Sequence, residues 1–420
     1  MKKNRVVILG GGISGLTAAY AHLKTCEVLL LEKNTSCGGV MQSLEKGNFF
    51  FECGPRTFRT KNSPHILQLG QELGLAEEII SSSAHSTKRY VLFEKTLQPV
   101  PSWSLLALLV RAVYREWRQP YFAGDESIHA FASRRFGEAV ANRLFDPLSL
   151  GVFGCDARQV SVQSAFPQLK EWEALYGSVG KGFLCTRSRK RSQPALKAPL
   201  FSFRQGTSSL IHALEKRLDG HIHLQEEALS LQKDENLIVK TARGAYPADK
   251  VISALPPHAL ARLLRDAAPE ASLLLLSIPM ISLTVVQLGY RGSILSRRGF
   301  GYLVPTSEQE RVMGVVFDSE IFPSQNRGEQ TRITVMLHGS YRDSAEMDAH
   351  DALRRHLSLS QTPDIVHITE AELPVMQVGH SDKIAAIQKS LSYALPELHL
   401  VGNYLGHPAV EHCIARALKT

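Results

Sequence analysis

The sequence predicts an α/β fold in which a parallel, doubly wound sheet is followed by a helical stretch and a second, strand-rich block. Three observations carry this. Residues 5–9 (RVVIL) are a β-branched run meeting a glycine cluster, residues 14–24 read as a helix rich in Ala and Leu, and residues 28–31 form a second apolar run. Strand, tight turn, helix and strand in that order open a parallel sheet. From about residue 100 the pattern lengthens to helical periods, and after residue 200 short alternating runs return.

Composition bounds what such a chain can do. With 420 residues, 44% apolar and 21% charged, it can bury a large core and should hold two or three domains. Lys and Arg outnumber Asp and Glu by 48 to 40, a net charge of +8, which favours an anionic partner: nucleic acid, a membrane surface or an acidic small molecule. Nucleic acid is the weakest of these, since no arginine-rich run interleaves with aromatics. Cys26, Cys37, Cys53, Cys155, Cys185 and Cys413 lie far apart, with no C-x-x-C pair, and read as reduced thiols of a cytoplasmic protein. Lys2-Lys3 and the apolar run after them look like a secretory leader, but Gly10-Gly11-Gly12 would break its helix. The apolar run 105–110 is far short of the roughly 20 residues that span a bilayer. The expectation is a chain that is soluble or lies on a membrane.

Along the chain, helices are expected over 103–118, 127–145 and 164–174, and the basic stretch 186–199 (TRSRKRSQPALKAP) reads as an exposed loop. Runs at 221–231, 237–241 and 250–254 suggest a meander. Further strands are expected at 281–288, 301–304, 312–317 and 332–337, a helix at 347–357, and a last strand at 398–401 that runs into a glycine.

Gly10, Gly12 and Gly15 spell G-x-G-x-x-G between the first strand and helix, and Glu32 ends the next strand. The first glycine permits the tight turn, the second lets backbone approach a pyrophosphate, and the third lets helix pack on strand; Glu32 can accept from a ribose hydroxyl. The helix start at Gly11, Ile13 and Ser14 supplies N–H groups and a favourable dipole. Gly38-Gly39 follow shortly after the acid, and 398–413 (LHLVGNYLGHPAVEHC) returns to strand, glycine and helix. An extended FAD needs such a second contact and an NAD does not. Only one full glycine fingerprint exists, which excludes twin FAD and NADPH domains.

The chain resembles the FAD-containing protoporphyrinogen and coproporphyrinogen oxidases, within the group that includes amine oxidases and phytoene desaturases. The resemblance rests on VVILGGGISGLTAAY, FECGPRTFR, FDPLSLGVFGCDARQVSVQSAFPQL, FRQGTSSLIHALEKRL, DKVISALPPHAL, GFGYLVP, ITVMLHGS and VGNYLGHPAVEHCI. The sequence departs from the family where His407 replaces a glycine and Glu411-His412 replace Asn-Asp. The resemblance implies a discontinuous FAD-binding domain of the glutathione-reductase-2 type (1–88, 201–256, 380–420), a helical, membrane-docking segment (89–200) and a mixed-sheet substrate domain (257–379). It further implies cofactor contacts at Lys33, Thr57, Phe58, Leu229, Gly402, Ala409 and Val410, beside those of the fingerprint.

For chemistry, the resemblance implies six-electron oxidation of a porphyrinogen in three flavin reductions, with O2 as acceptor and H2O2 released. Arg59 is the expected propionate ligand with Arg56 in reserve, because a guanidinium matches a carboxylate bidentately. Phe300, Leu303 and Met336 would sandwich the ring, and Gly151 would let backbone approach it. The substrate is protoporphyrinogen IX or, alternatively, coproporphyrinogen III; an amine oxidase and an inactive porphyrin carrier are the other readings. His221 and His223 share a strand face but lack a third metal ligand. The cluster Arg187, Arg189, Lys190 and Arg191 is either a solvated loop or a site for anionic lipid, and 103–117 is either a membrane-lying helix or an ordinary packed one. A homodimer and hand-off of product to a ferrochelatase complete the expected partners.

Overall fold

A computed structural model describes residues 4–189 and 198–420. Five parallel strands stand in the order Ile222–Leu224, Glu27–Glu32, Arg5–Leu9, Lys250–Ser253 and Leu398–Leu400. Both faces of this sheet are covered, which is why Val6 to Leu9 are buried without alternation. Val6, Ile8 and Leu30 pack with Leu16, Leu210 and Ile414, from the helices Ile13–His22, Ser208–Arg217 and Val410–Ala417. Val7, Leu9 and Leu31 face the opposite side. There they meet a three-stranded meander and the helices Pro257–Leu263, Pro269–Leu276 and His380–Ala394.

A seven-stranded mixed sheet forms the second block, in the order Ile365–Pro374, Met280–Arg291, Gln330–His338, Val312–Val316, Gly301–Leu303, Arg89–Phe93 and Thr96–Val100. Helix Ala345–Leu357 packs on one face, where Tyr90, Leu92 and Tyr302 point. Alternation turns Arg89, Val91, Phe93 and Leu303 to the other face. The helix Asp146–Phe153 closes on that face, with Gly151 against Leu303. The helical segment is held by a fully buried pair, in which Arg135 donates to Glu173 (2.6 and 2.9 Å) and to the carbonyls of Glu116, Gln119 and Gly177. Such a pair persists because its remaining donors are also satisfied.

Several expectations need correction. Strands Arg89–Phe93 and Thr96–Val100 lie in the mixed sheet, so the helical segment starts at Trp103 rather than at 89. The single helix over 127–145 is two helices and a π-helical turn, Ala141–Phe145, because Gly137 takes φ +97° and ends the first. The helix at 164–174 is cut before Pro167, which disfavours helical backbone in Phe166 (φ −133°). The run 221–231 divides at Gln225 (φ +54°) into strands of two different sheets. The meander is Ala228–Lys233, Leu237–Thr241 and Ala245–Ala248, and residues 250–254 belong instead to the parallel sheet. Residues 186–189 end the helix Val179–Arg189, while Lys190 and Arg191 of the basic cluster lie outside the described residues. None of the six cysteines is joined in a disulfide among the described residues. Among the described residues, no helix is long and apolar enough to cross a membrane.

Candidate active site

The glycine turn is built as its spacing requires. Gly10 adopts φ +97° and its N–H donates to the Leu31 carbonyl (2.9 Å), while a Cβ on Gly15 would stand 1.9 Å from the Gly10 oxygen. Gly12 differs from both: nothing stands within 4 Å of where its Cβ would be, so open space lies beside the helix start. No side chain caps that helix, and its first turn holds no acid. Its first N–H groups, at Ile13, Ser14 and Gly15, have no acceptor within a helix. The Gly38-Gly39 pair closes on this turn, with Gly38 bridged to Gly12 and its N–H donating to the Gly11 carbonyl (2.9 Å). Helix Val410–Ala417 also starts without a side-chain cap, next to the first helix, where Cys413 contacts Ser14. Two uncapped helix starts beside an open backbone cradle fit the diphosphate of a dinucleotide.

Glu32 is buried at the end of its strand. Its carboxylate accepts from Gly11 N (2.7 Å) and from Asn34 N and Nδ2 (2.8 and 2.7 Å), which locks it facing the turn. Beyond it, Lys33, Leu229, Glu226 and Arg243 line an open cleft of about 460 Å³, suited to the adenosine end. The buried Glu226 carboxylate accepts from Thr241 Oγ1 (2.8 Å) and Tyr246 Oη (2.6 Å), and these bonds hold its pKa below the usual carboxylate value against burial. His221 bonds the Val28 carbonyl and His223 bonds Glu226. No group of three metal-ligating side chains occurs among the described residues.

At the other end, Gly402 follows the last strand and Ala409-Val410 begin the last helix. The family departures have physical roles here. Glu411 caps a different helix, Pro64–Glu72, accepting from His65 N (3.1 Å) and Ile66 N (3.0 Å) where Ser63 supplies no cap. His407 stacks on His412 (4.5 Å) and meets the edge of Phe153 (5.7 Å). Burial, together with the nearby His412 and Arg416 charges, pushes its pKa down to about 4, so it is neutral at pH 7. Phe58 packs into the core on Phe201 and Phe203, which leaves its backbone for a cofactor contact, and Thr57 beside it is half-buried.

The segment FECGPRTFR separates its two arginines. Arg56 donates to Asp318 (2.6 Å) and to the Glu52 carbonyl, so it is committed and not the reserve ligand expected of it. Arg59 is exposed and makes no ion pair among the described residues. Beside it stands Arg89, a residue that sequence reasoning missed. Its guanidinium lies over the Phe300 ring (4.9 Å), and partial burial with the like charge of Arg59 lowers its pKa. Phe300 and Met336 pack around one apolar cluster, and Met336 and Leu303 both border Gly314. The space beside Gly151 is filled by Leu303 (2.7 Å from a notional Cβ), so that glycine admits a side chain rather than exposing backbone to a ligand. Behind the rim, Glu52 is buried and accepts from Thr207 N (2.8 Å), Thr207 Oγ1 (3.0 Å) and Ser43 Oγ (2.8 Å). Burial outweighs these bonds and pushes its pKa up to about 7.

Comparison with known proteins agrees with this geometry. The family model of flavin-containing amine oxidoreductases matches residues 13–359. Human protoporphyrinogen oxidase is 32% identical over 459 residues, covering 97% of this chain and 96% of that protein. The coproporphyrinogen III oxidase of Bacillus subtilis is 24% identical, covering 98% and 96%. Among solved structures, a protein of Exiguobacterium sp. 255-15, provisionally assigned as a protoporphyrinogen oxidase, superposes with a TM-score of 0.85 at 22% identity, over 100% of this chain and 98% of that one. Cyclohexylamine oxidase of Brevibacterium oxydans IH-35A superposes with a TM-score of 0.71 at 17% identity, over 99% and 97%. These two likenesses speak for the fold. With FAD as the cofactor that its cradle takes, the chain belongs to the flavin-containing amine oxidoreductase family, in the branch of the porphyrinogen oxidases.

Proposed function

We propose that this protein is an oxygen-dependent protoporphyrinogen IX oxidase of haem biosynthesis. The observation that carries the reading is the pair Arg59 and Arg89, two neighbouring guanidiniums with no carboxylate partner among the described residues, the second of them over the apolar ring of Phe300. Two such forks suit two propionates on one edge of a tetrapyrrole. The bound flavin supplies two-electron acceptance, so one porphyrinogen and three O2 give one porphyrin and three H2O2. Phe300, Leu303 and Met336 offer the macrocycle an apolar wall, and the arginines fix its orientation. Proton movement is assigned to tautomerisation of the pyrrole N–H groups, so no protein base is required.

The test mixes the flavin-loaded protein anaerobically with protoporphyrinogen IX or coproporphyrinogen III, admits oxygen, and follows porphyrin fluorescence with oxygen uptake. Faster oxidation of protoporphyrinogen, with three O2 consumed per porphyrin, is expected. Preference for coproporphyrinogen would move the protein to the alternative substrate, for which the Bacillus subtilis relative speaks. Oxidation of neither would leave an amine oxidase or a porphyrin carrier.

A second reading concerns location. Helix Trp103–Glu116 and the residues after it expose Trp103 (88%), Val110 (73%), Tyr114 and Trp117 beside Arg111, Arg115 and Arg118. This apolar and basic face suits the surface of an anionic membrane, on its cytoplasmic side. Co-sedimentation with anionic but not neutral vesicles at low salt tests it. A homodimer and direct transfer of the porphyrin to a ferrochelatase belong to the same proposal, checked by sedimentation and by a coupled metal-insertion assay.

A further inference from the structure

The face of the mixed sheet that carries Arg89 has a second cation at its other end. Arg89, Val91 and Phe93 share that face, because Tyr90 and Leu92 are packed on the opposite one. Four residues at ~3.3 Å each separate the two ends by ~13 Å. At the near end Arg89 lies over Phe300; at the far end Arg143 lies over Phe93, with its guanidinium 4.1 Å from the ring centroid.

Arg143 differs from three other arginines of the helical segment. Arg134, Arg135 and Arg158 each face a carboxylate, whereas Arg143 is half-buried and has no ion pair or hydrogen-bond partner among the described residues. Its backbone is firmly placed. It sits in the π-helical turn Ala141–Phe145, between Asn142, which accepts from His129 Nε2 (2.9 Å), and Asp146. The Asp146 carboxylate accepts from Thr306 N (2.8 Å) and Oγ1 (2.9 Å), tying this turn to the loop after strand Gly301–Leu303. A π-turn displaces its side chains from ordinary helical register and is common at functional sites.

We propose that Arg143 is a specificity-determining residue, which binds a carboxylate on the edge of the tetrapyrrole opposite to the one held by Arg59 and Arg89. This rests on the reading of the cleft as a porphyrinogen site and deepens it. Protoporphyrinogen carries its two acidic arms on one edge and gains nothing from a far cation. Coproporphyrinogen III carries four, so Arg143 adds affinity for a tetracarboxylate and lets the site take it as a second substrate beside protoporphyrinogen.

The test measures binding of coproporphyrin III (four carboxylates) and mesoporphyrin IX (two) to the FAD-loaded protein by fluorescence quenching, for wild type, Arg143→Gln and Arg143→Lys, with flavin content and thermal midpoint as checks on folding. Loss of one charge-assisted contact should weaken coproporphyrin about tenfold in the Gln variant, with mesoporphyrin within about twofold and the Lys variant keeping most of the affinity. Equal weakening of both porphyrins, no weakening of either, or a Lys variant as weak as the Gln variant would overturn the proposal. Selective weakening in a protein that oxidises no porphyrinogen would sustain the Arg143 site and refute the enzymatic reading. Wild-type protein that binds neither porphyrin would refute both.

Discussion

Replacing Glu52 by Gln should change how stability depends on pH. The carboxyl is 4% exposed and titrates at about 7 in the folded protein, against an ordinary value of 4.5. A carboxyl with a raised folded pKa contributes stability that is complete below pH 4.5 and is lost as pH rises to about 7, because ionisation costs more inside the protein than in the open chain. The gap between the two values is worth about 3 kcal/mol. Gln keeps an oxygen for the Thr207 N–H, and its amide can donate to the hydroxyls of Ser43 and Thr207 once they rotate, so the site stays bonded without the charge. A chain of this length unfolds with an entropy of roughly 0.9 kcal/mol/K, which converts the effect to about 4 °C. Scanning calorimetry of both proteins from pH 4.5 to 8 should show the difference in midpoint moving by that amount in favour of Glu52→Gln as pH rises. Parallel curves, or a difference moving the other way, would refute the assignment of burial as the dominant influence on this carboxyl.

Three further outcomes follow from the site. Glu32→Ala should leave Gly11 N and Asn34 without their acceptor and weaken FAD by about tenfold or more, measured as flavin retained after dialysis; unchanged retention would count against the cradle. Arg59→Ala should raise the substrate KM about tenfold or more with FAD retained and kcat little changed, and loss of flavin instead would reassign Arg59 to the cofactor. Glu411→Ala should cost about 1 kcal/mol by uncapping the helix Pro64–Glu72, seen as a fall of about 1 °C in the thermal midpoint, with flavin content preserved.

The parallel lobe was legible in the sequence because its signals are local. The turn at Gly10 and Gly15 and the acid at Glu32 are fixed by backbone geometry within one strand-helix-strand unit. The rim was not. Arg56 and Arg59 are three residues apart in one segment, and what separates them is Asp318, an acid brought near by the mixed sheet. Arg89 ends an alternating run whose two faces look equivalent until helix Ala345–Leu357 covers one of them. The same holds for breaks in elements: Gly137 announces one, but nothing in the residues around Gln225 says that a strand leaves one sheet there and enters another.

The parallel sheet draws its last strand, Leu398–Leu400, from about 390 residues beyond its first, and helix Val410–Ala417 packs on helix Ile13–His22. At roughly 5–20 residues per second of synthesis, the nascent glycine turn waits about 20–80 s for the segment that completes the lobe. The cradle beside helix Ile13–His22 is therefore complete only after residue 417 has been made, and capture of the cofactor becomes a late check on whether the sheets in between have folded. A variant that fails anywhere in the intervening sheet should emerge colourless, even with every residue of the turn intact.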